Sequence, residues 1–276
     1  MKRGTLIRFL IALVVAGGSA IWPGVGPVKF PEIASANSAC STSSGHYYDG
    51  YGDFYDTWGA SAWIVTRSFN FCTEPPTNPL GDKDFISAWS MVVTSDLNHF
   101  AQVGYGRYKK STDTTHVFAE YTYSGCSNGK CKVDYPVQTY GGDNIKYWNA
   151  YHNVSSPHPR IEMWAGDCQS QTCYDIAGTP YDPANTNSGT DYWPSPWYEQ
   201  YSGETKNTGD DVPGSVGYKA SFTSVAYLPN PWKSSTYPTF QNVADYPYKN
   251  TEPTEPYYCF QPAGDSAFNI WTAGTC

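Results

Sequence analysis

Phe85-Ile86-Ser87-Ala88-Trp89-Ser90-Met91-Val92-Val93-Thr94 is a nearly unbroken apolar decad. It contains four β-branched residues and ends at a turn sequence, which reads as a strand buried on both faces. Ser95-Asp96-Leu97-Asn98-His99 turns the chain. Residues 99–108 return as a second strand, in which the amide of Gln102 sits between apolar neighbours. Residues 109–114 turn again, and 115–123 (THVFAEYTY) form a third strand. Cys126-Ser127-Asn128-Gly129-Lys130-Cys131 follows, with Asn-Gly, the strongest short hairpin signal, at its centre. Hairpin-linked strands therefore run in succession from Phe85 to Tyr123.

The same style of sequence extends both ways. Gly59-Ala60-Ser61-Ala62-Trp63-Ile64-Val65 predicts the first firm strand, and further strands are expected at 145–153, 160–165 and 218–228. No stretch has a sustained helical period. The fold class expected is all-β, an antiparallel β-sandwich of two packed sheets stapled by disulfides. Its expected extent is 59–228, after a loop over 37–58 and before a Pro/Tyr-rich extension over 229–276 that wraps the surface.

Residues 1–36 read as a signal peptide. Lys2, Arg3 and Arg8 precede an apolar run, and Ala34-Ser35-Ala36 supplies an A-x-A site, with Ala20 as an earlier alternative. Secretion is the expectation, with no membrane attachment after cleavage. Removing Lys2, Arg3, Arg8, Lys29 and Glu32 leaves 13 basic and 24 acidic residues, a net charge of −11. Such a surface argues against nucleic acid and anionic membranes as partners. The eight cysteines, Cys40, Cys72, Cys126, Cys131, Cys168, Cys173, Cys259 and Cys276, all lie beyond the leader and predict disulfides. Cys126–Cys131 and Cys168–Cys173 close short turns. Eight cysteines allow 105 connectivities, so the pairing stays open in the sequence; with those two local pairs formed, Cys40–Cys72 and Cys259–Cys276 would be left. No thiolate spacing suggests a metal.

The common catalytic motifs are missing: no G-x-S-x-G, H-E-x-x-H, P-loop or dinucleotide fingerprint occurs. The histidines, His46, His99, His116, His152 and His158, show no ligand spacing. Carboxylates and amides remain. Glu74, Glu252 and Glu255 lie in Pro-rich loops, whereas Glu120, Glu162, Glu199 and Glu204 lie in or beside aromatic strands. A carboxylate there is costly unless it is paired or used. Across a β-cleft, one carboxylate can take a water proton while a neutral amide donates to a developing oxyanion.

A family resemblance selects which residues to pair. Gly59-Ala60-Ser61-Ala62-Trp63-Ile64, Phe85-Ile86-Ser87-Ala88-Trp89, Gln102-Val103-Gly104-Tyr105 and Val117-Phe118-Ala119-Glu120-Tyr121-Thr122 occur in that order. Gly125-Cys126-Ser127-Asn128-Gly129-Lys130-Cys131, Ser202-Gly203-Glu204-Thr205-Lys206-Asn207 and Lys219-Ala220-Ser221-Phe222 follow. This order resembles the neprosin domain, a glutamic-peptidase family. The resemblance implies an antiparallel β-sandwich with two catalytic glutamates and no metal or organic cofactor. The second of those glutamates falls on Glu204, and the first falls on Gln102, an amide. The related eqolisin peptidases use a Gln/Glu dyad, so the implied activity is peptide hydrolysis at acid pH on a polypeptide substrate. The same departure also fits a domain that kept the fold and lost the chemistry, a secreted binding module for glycan or protein. Tyr192, Trp193, Trp197 and Tyr198, in and after a long loop, are candidates for substrate binding; the competing reading of each is core packing.

Overall fold

All ten residues of Phe85–Thr94 are buried, for two different reasons. Ile86, Ala88 and Val92 face the interior between two sheets, with Val103, Tyr105, Tyr147 and Phe222. Phe85, Trp89, Met91 and Val93 alternate onto the opposite face and form a second apolar cluster with Phe118, covered by Phe100, Tyr108 and Tyr198. The outer face of this sheet is therefore not simply wet. It carries its own aromatic layer, and each large side chain so covered stabilises the fold by about 2 kcal/mol.

The computed structural model describes residues 47–52, 56–67, 69–73, 81–110, 112–170, 172–207, 209–215, 217–234, 236–243, 248–252 and 258–272. In chain order the strands are β1 (Tyr47–Gly52), β2 (Gly59–Val65), β3 (Phe85–Thr94), β4 (Phe100–Tyr108), β5 (His116–Thr122), β6 (Lys130–Gln138), β7 (Asn144–His152), β8 (Arg160–Ala165), β9 (Tyr174–Gly178), β10 (Trp197–Thr205), β11 (Gly214–Ser215), β12 (Tyr218–Tyr227), β13 (Gln241–Asn242), β14 (Tyr248–Glu252), β15 (Tyr258–Gly264) and β16 (Ala267–Thr272). One sheet runs β14-β1-β10-β3-β4-β5-β6. The other runs β15-β16-β12-β2-β7-β8-β9, with β11 and β13 added to β12. The strand pairs within both sheets are antiparallel, and the two sheets pack face to face around one core.

Polar groups register the two layers. Asn149 donates from Nδ2 to Ser90 O at 3.2 Å and accepts from Ala60 N at 3.2 Å. Tyr105 of β4 donates to Val65 O at 3.1 Å. These buried bonds are costly to leave unmade, so they tie β3 and β4 to β2 and β7 in one register.

The sandwich extends beyond the expected boundaries. The 37–58 segment, expected to be loop, contains β1, which lies between β10 and β14. Its composition, Tyr-Tyr-Asp-Gly-Tyr-Gly, looks like loop because its glycines are read as flexibility. At Gly50 the glycine meets a packing demand instead: a Cβ there would lie 2.0 Å from Tyr201 O. The tail expected to wrap the surface supplies β14, β15 and β16, and Phe268 and Ile270 of β16 enter the core. β6 and β9 were also not expected as strands.

Cys126–Cys131 and Cys168–Cys173 are disulfides, as the turns predicted. Cys72 and Cys259 are disulfide-bonded as well. Cys40, Cys276 and the leader lie outside the described residues. Among the described residues no helix is long and apolar enough to cross a membrane.

Candidate active site

Glu204 is a strand residue, not a residue of a solvated turn. It lies in β10, paired to Ser87 of β3 on one side and Tyr48 of β1 on the other. Gln102 lies in β4, paired to Met91 of β3 and Glu120 of β5. Ser87 and Met91 are four apart on one strand, so they share a face, and Glu204 and Gln102 share it with them. That face is the outer one, bearing Trp89 and Met91. The two side chains, 7% and 6% exposed, line one open groove of about 210 Å³. Trp89, Met91, Val93, Leu97 and Phe100 make its apolar wall, and Tyr48, Glu120, Lys130, Gln200 and Lys206 its polar border.

Each candidate has fixed partners. Trp89 donates from Nε1 to Glu204 Oε2 at 3.1 Å, and Lys206 donates from Nζ to Glu204 Oε1 at 3.1 Å. Both carboxylate oxygens thus accept a bond, one of them from a charge. Gln102 donates from Nε2 to Glu120 Oε2 at 3.3 Å. Gln102 and Glu204 do not bond each other. At ~4.8 Å per strand and ~3.3 Å per residue, two strands and four residues place their Cα atoms roughly 16 Å apart. Both side chains stand up from the sheet, Gln102 bonded toward Glu120 and Glu204 toward Trp89 and Lys206, so the groove floor over Trp89 lies open between carboxylate and amide.

The four strand-borne glutamates separate cleanly. Glu120 joins Glu204 in the groove. Glu199 is five residues from Glu204 on β10, hence on the other face, and is fully buried. Glu162 belongs to the second sheet, where Ser155, His152, Arg160 and Trp164 all bond its carboxylate. Those bonds and the neighbouring cations hold its pKa below the usual value, against the effect of burial.

Beside Glu120, Lys132 of β6 extends its ammonium over the Phe85 ring, 3.2 Å from the centroid, and the Tyr108 ring, at 4.3 Å. Burial pulls its pKa down to about 8, while Asp134 and Glu120 oppose that shift. The loop aromatics, in contrast, turn inward. Trp193 and Trp197 are 1% and 2% exposed, pack on each other at 5.3 Å, and belong to the main core. Tyr192 is half-buried beside a separate small cavity of about 90 Å³. Tyr198, on the groove face of β10, packs against the Phe85–Trp89 cluster.

Past the end of β10 lies one further cluster. Cys72 Sγ and carboxylate oxygens of Asp84 and Asp210 fall within 4.8 Å of one another, the one group of three possible metal donors among the described residues. Cys72 is in a disulfide, so its sulfur is not a thiolate. What remains is a pair of buried carboxyl groups. Asp210 accepts from Cys72 N at 2.8 Å, and burial together with Asp84 pushes its pKa up to about 8. Asp210 is thereby favoured in its protonated form close to neutral pH.

No family model, curated protein or solved structure matches this chain.

Sequence reasoning had not placed Trp89, Lys206 or Glu120 in the site. The available signal was strand parity: with the β4–β5 hairpin in register, Gln102 and Glu120 fall opposite each other.

Proposed function

We propose that the chain is a secreted glutamic-type endopeptidase that hydrolyses polypeptides in acid solution through Gln102 and Glu204. The observation that carries this reading is their common placement. Two residues a hundred positions apart emerge on one face of one sheet, in one open groove, with space for a guest between them.

In this reading a peptide carbonyl sits over Trp89. Glu204 takes a proton from water as the water oxygen bonds the carbonyl carbon. The carbonyl oxygen becomes an oxyanion and accepts an N–H from Gln102. Glu204 then delivers the proton to the leaving nitrogen as the C–N bond breaks, leaving a carboxyl and an amine terminus. Lys206 and Trp89 hold the carboxylate at the groove edge throughout. The disulfides fit an oxidising compartment, which supports export. The rival binding surface, the aromatic loop before β10, has its tryptophans committed to the core.

The test is proteolysis of a denatured protein by the purified mature chain from pH 3 to pH 7. Wild type should cleave it in the presence of chelator and serine-protease inhibitors, Glu204→Gln should be inactive, and Gln102→Ala should lose roughly 100-fold in kcat. An intact substrate across that range, or full activity in Glu204→Gln, would refute the assignment.

A further inference from the structure

The amide that stands where a second carboxylate is expected has a carboxylate beside it. Gln102 and Glu120 are directly opposed on β4 and β5 and are joined by Nε2–H···Oε2 at 3.3 Å. Resting on the peptidase reading above, we infer that Glu120 is a positioning residue, anchoring one N–H of Gln102 so that the other N–H is presented to the oxyanion.

In the observed contact the amide nitrogen of Gln102 donates and the carboxylate oxygen of Glu120 accepts. An acceptor oxygen at this position fixes the orientation of the Gln102 group. An amide carries two N–H donors, and one is used by Glu120. The second N–H and the Oε1 lone pairs are left for the groove that Gln102 lines, where an oxyanion donor and a water acceptor are needed.

Glu120 has a cation as its next neighbour in the sheet. On its far side it is opposed by Lys132, whose ammonium is lodged over Phe85 and Tyr108 and lies 3.7 Å from Asp134. Gln102, Glu120 and Lys132 thus form one row across three adjacent strands, with alternating donor, acceptor and cation. Strand-borne side chains in such a row lose little further entropy when substrate arrives. Glu120 touches Gln102 and lines the groove, but the base assigned above is Glu204 at the opposite border.

Two variants separate anchoring from proton transfer. Glu120→Gln keeps an oxygen acceptor for the Gln102 N–H and removes the charge. Glu120→Ala removes the acceptor. In ¹⁵N-labelled protein, the Gln102 side-chain amide, identified by its loss in Gln102→Ala, should show two well-separated protons in wild type and in Glu120→Gln. In Glu120→Ala they should collapse toward the positions of an exposed glutamine. In steady-state cleavage, Glu120→Ala should lower kcat roughly 10- to 100-fold with KM within about twofold, and Glu120→Gln should stay within about threefold of wild type. Thermal melts establish that each variant is folded. An unchanged Gln102 resonance or an unchanged kcat in folded Glu120→Ala would overturn the inference. So would a Glu120→Gln variant as inactive as the alanine, which would make the carboxylate a proton carrier. An inactive wild type with the expected resonances would instead overturn the peptidase reading and leave the anchoring intact.

Discussion

Stability should fall as pH rises from about 4 to about 8, and the buried Asp84–Asp210 pair should be the main cause. In the unfolded chain Asp210 releases its proton near its ordinary value of 3.8, whereas in the fold burial and the neighbouring Asp84 hold that proton up to about 8. Between these values the folded state binds the extra proton, so raising the pH favours unfolding. The contribution is most favourable below 3.8 and is lost progressively up to 8. The interval is about 4 pH units, and at about 1.4 kcal/mol per unit it amounts to at most 6 kcal/mol. That is a large part of a typical 5–15 kcal/mol total. For a domain of this size, 2–4 °C per kcal/mol puts the midpoint lower at pH 8 than at pH 4 by at most about 12–24 °C.

The assay is calorimetric melting across that range for wild type and Asp210→Asn. The asparagine keeps an Oδ1 acceptor for Cys72 N and supplies an N–H to Asp84, so its melting point should be nearly flat where wild type falls. The difference between the two curves isolates the pair. His116, whose pKa is raised on balance by Asp134 and Thr114 against burial, contributes in the same direction to both proteins. Asp134 and Glu162, whose values are lowered by their bonds and cations against burial, lose their contribution only as the pH falls below their ordinary values of 3.8 and 4.5, so they leave the slope from pH 5 to pH 8 nearly unchanged in both. Equal slopes in wild type and Asp210→Asn, or a wild-type midpoint that rises from pH 5 to pH 8, would refute the reasoning.

Two substitutions probe the groove. Trp89→Phe removes the indole N–H that bonds Glu204 while keeping an aromatic ring in the outer cluster; kcat/KM should drop about tenfold, and a variant with wild-type kinetics would show that the indole does not position the carboxylate. Leu97 is 60% exposed at the tip of the β3–β4 hairpin, with φ of +59° and its turn clamped by Asp96 bonds to Thr94 and Asn98. Leu97→Gly should therefore raise the unfolding free energy in urea by about 1 kcal/mol while weakening cleavage of substrates with bulky apolar side chains, and a clear loss of stability would refute the strain argument.

Local sequence carried the hairpins well and the sheet edges badly. From β3 to β5, apolar runs alternate with strong turn residues, so each strand was visible from its own residues and its nearest neighbour. β1 and β14 to β16 are legible only through what they pair with. Tyr47–Gly52 becomes a strand because β10 offers it a ladder and Gly50 lets the two backbones close, and neither condition is written in the hexapeptide. Trp193 and Trp197 show the converse limit. An aromatic loop reads equally well as a binding surface or as core, and only the position of Trp58 and Tyr151 against Trp197 decides for core.

The placement of the groove follows from one long-range choice. β3, β4 and β5 can form from local hairpins, and they bring Gln102, Glu120 and Trp89 onto one face without help from the rest of the chain. Glu204 joins them only when β10 inserts beside β3 with Glu204 at Ser87, and a slip of one residue would turn Glu204 inward and Glu199 outward. Two features select the observed register. Tyr201 reaches the core, where its hydroxyl donates to Ala226 O at 2.7 Å, and Trp197 packs among Trp58, Tyr151 and Trp193. Both are odd-numbered neighbours of Glu199 and would be expelled to the outer face by a slip. The core aromatics of β10 thereby determine which of its two glutamates shares the groove face with Gln102, so Trp197, a candidate ligand contact by sequence, serves the site from behind, by holding its strand in phase.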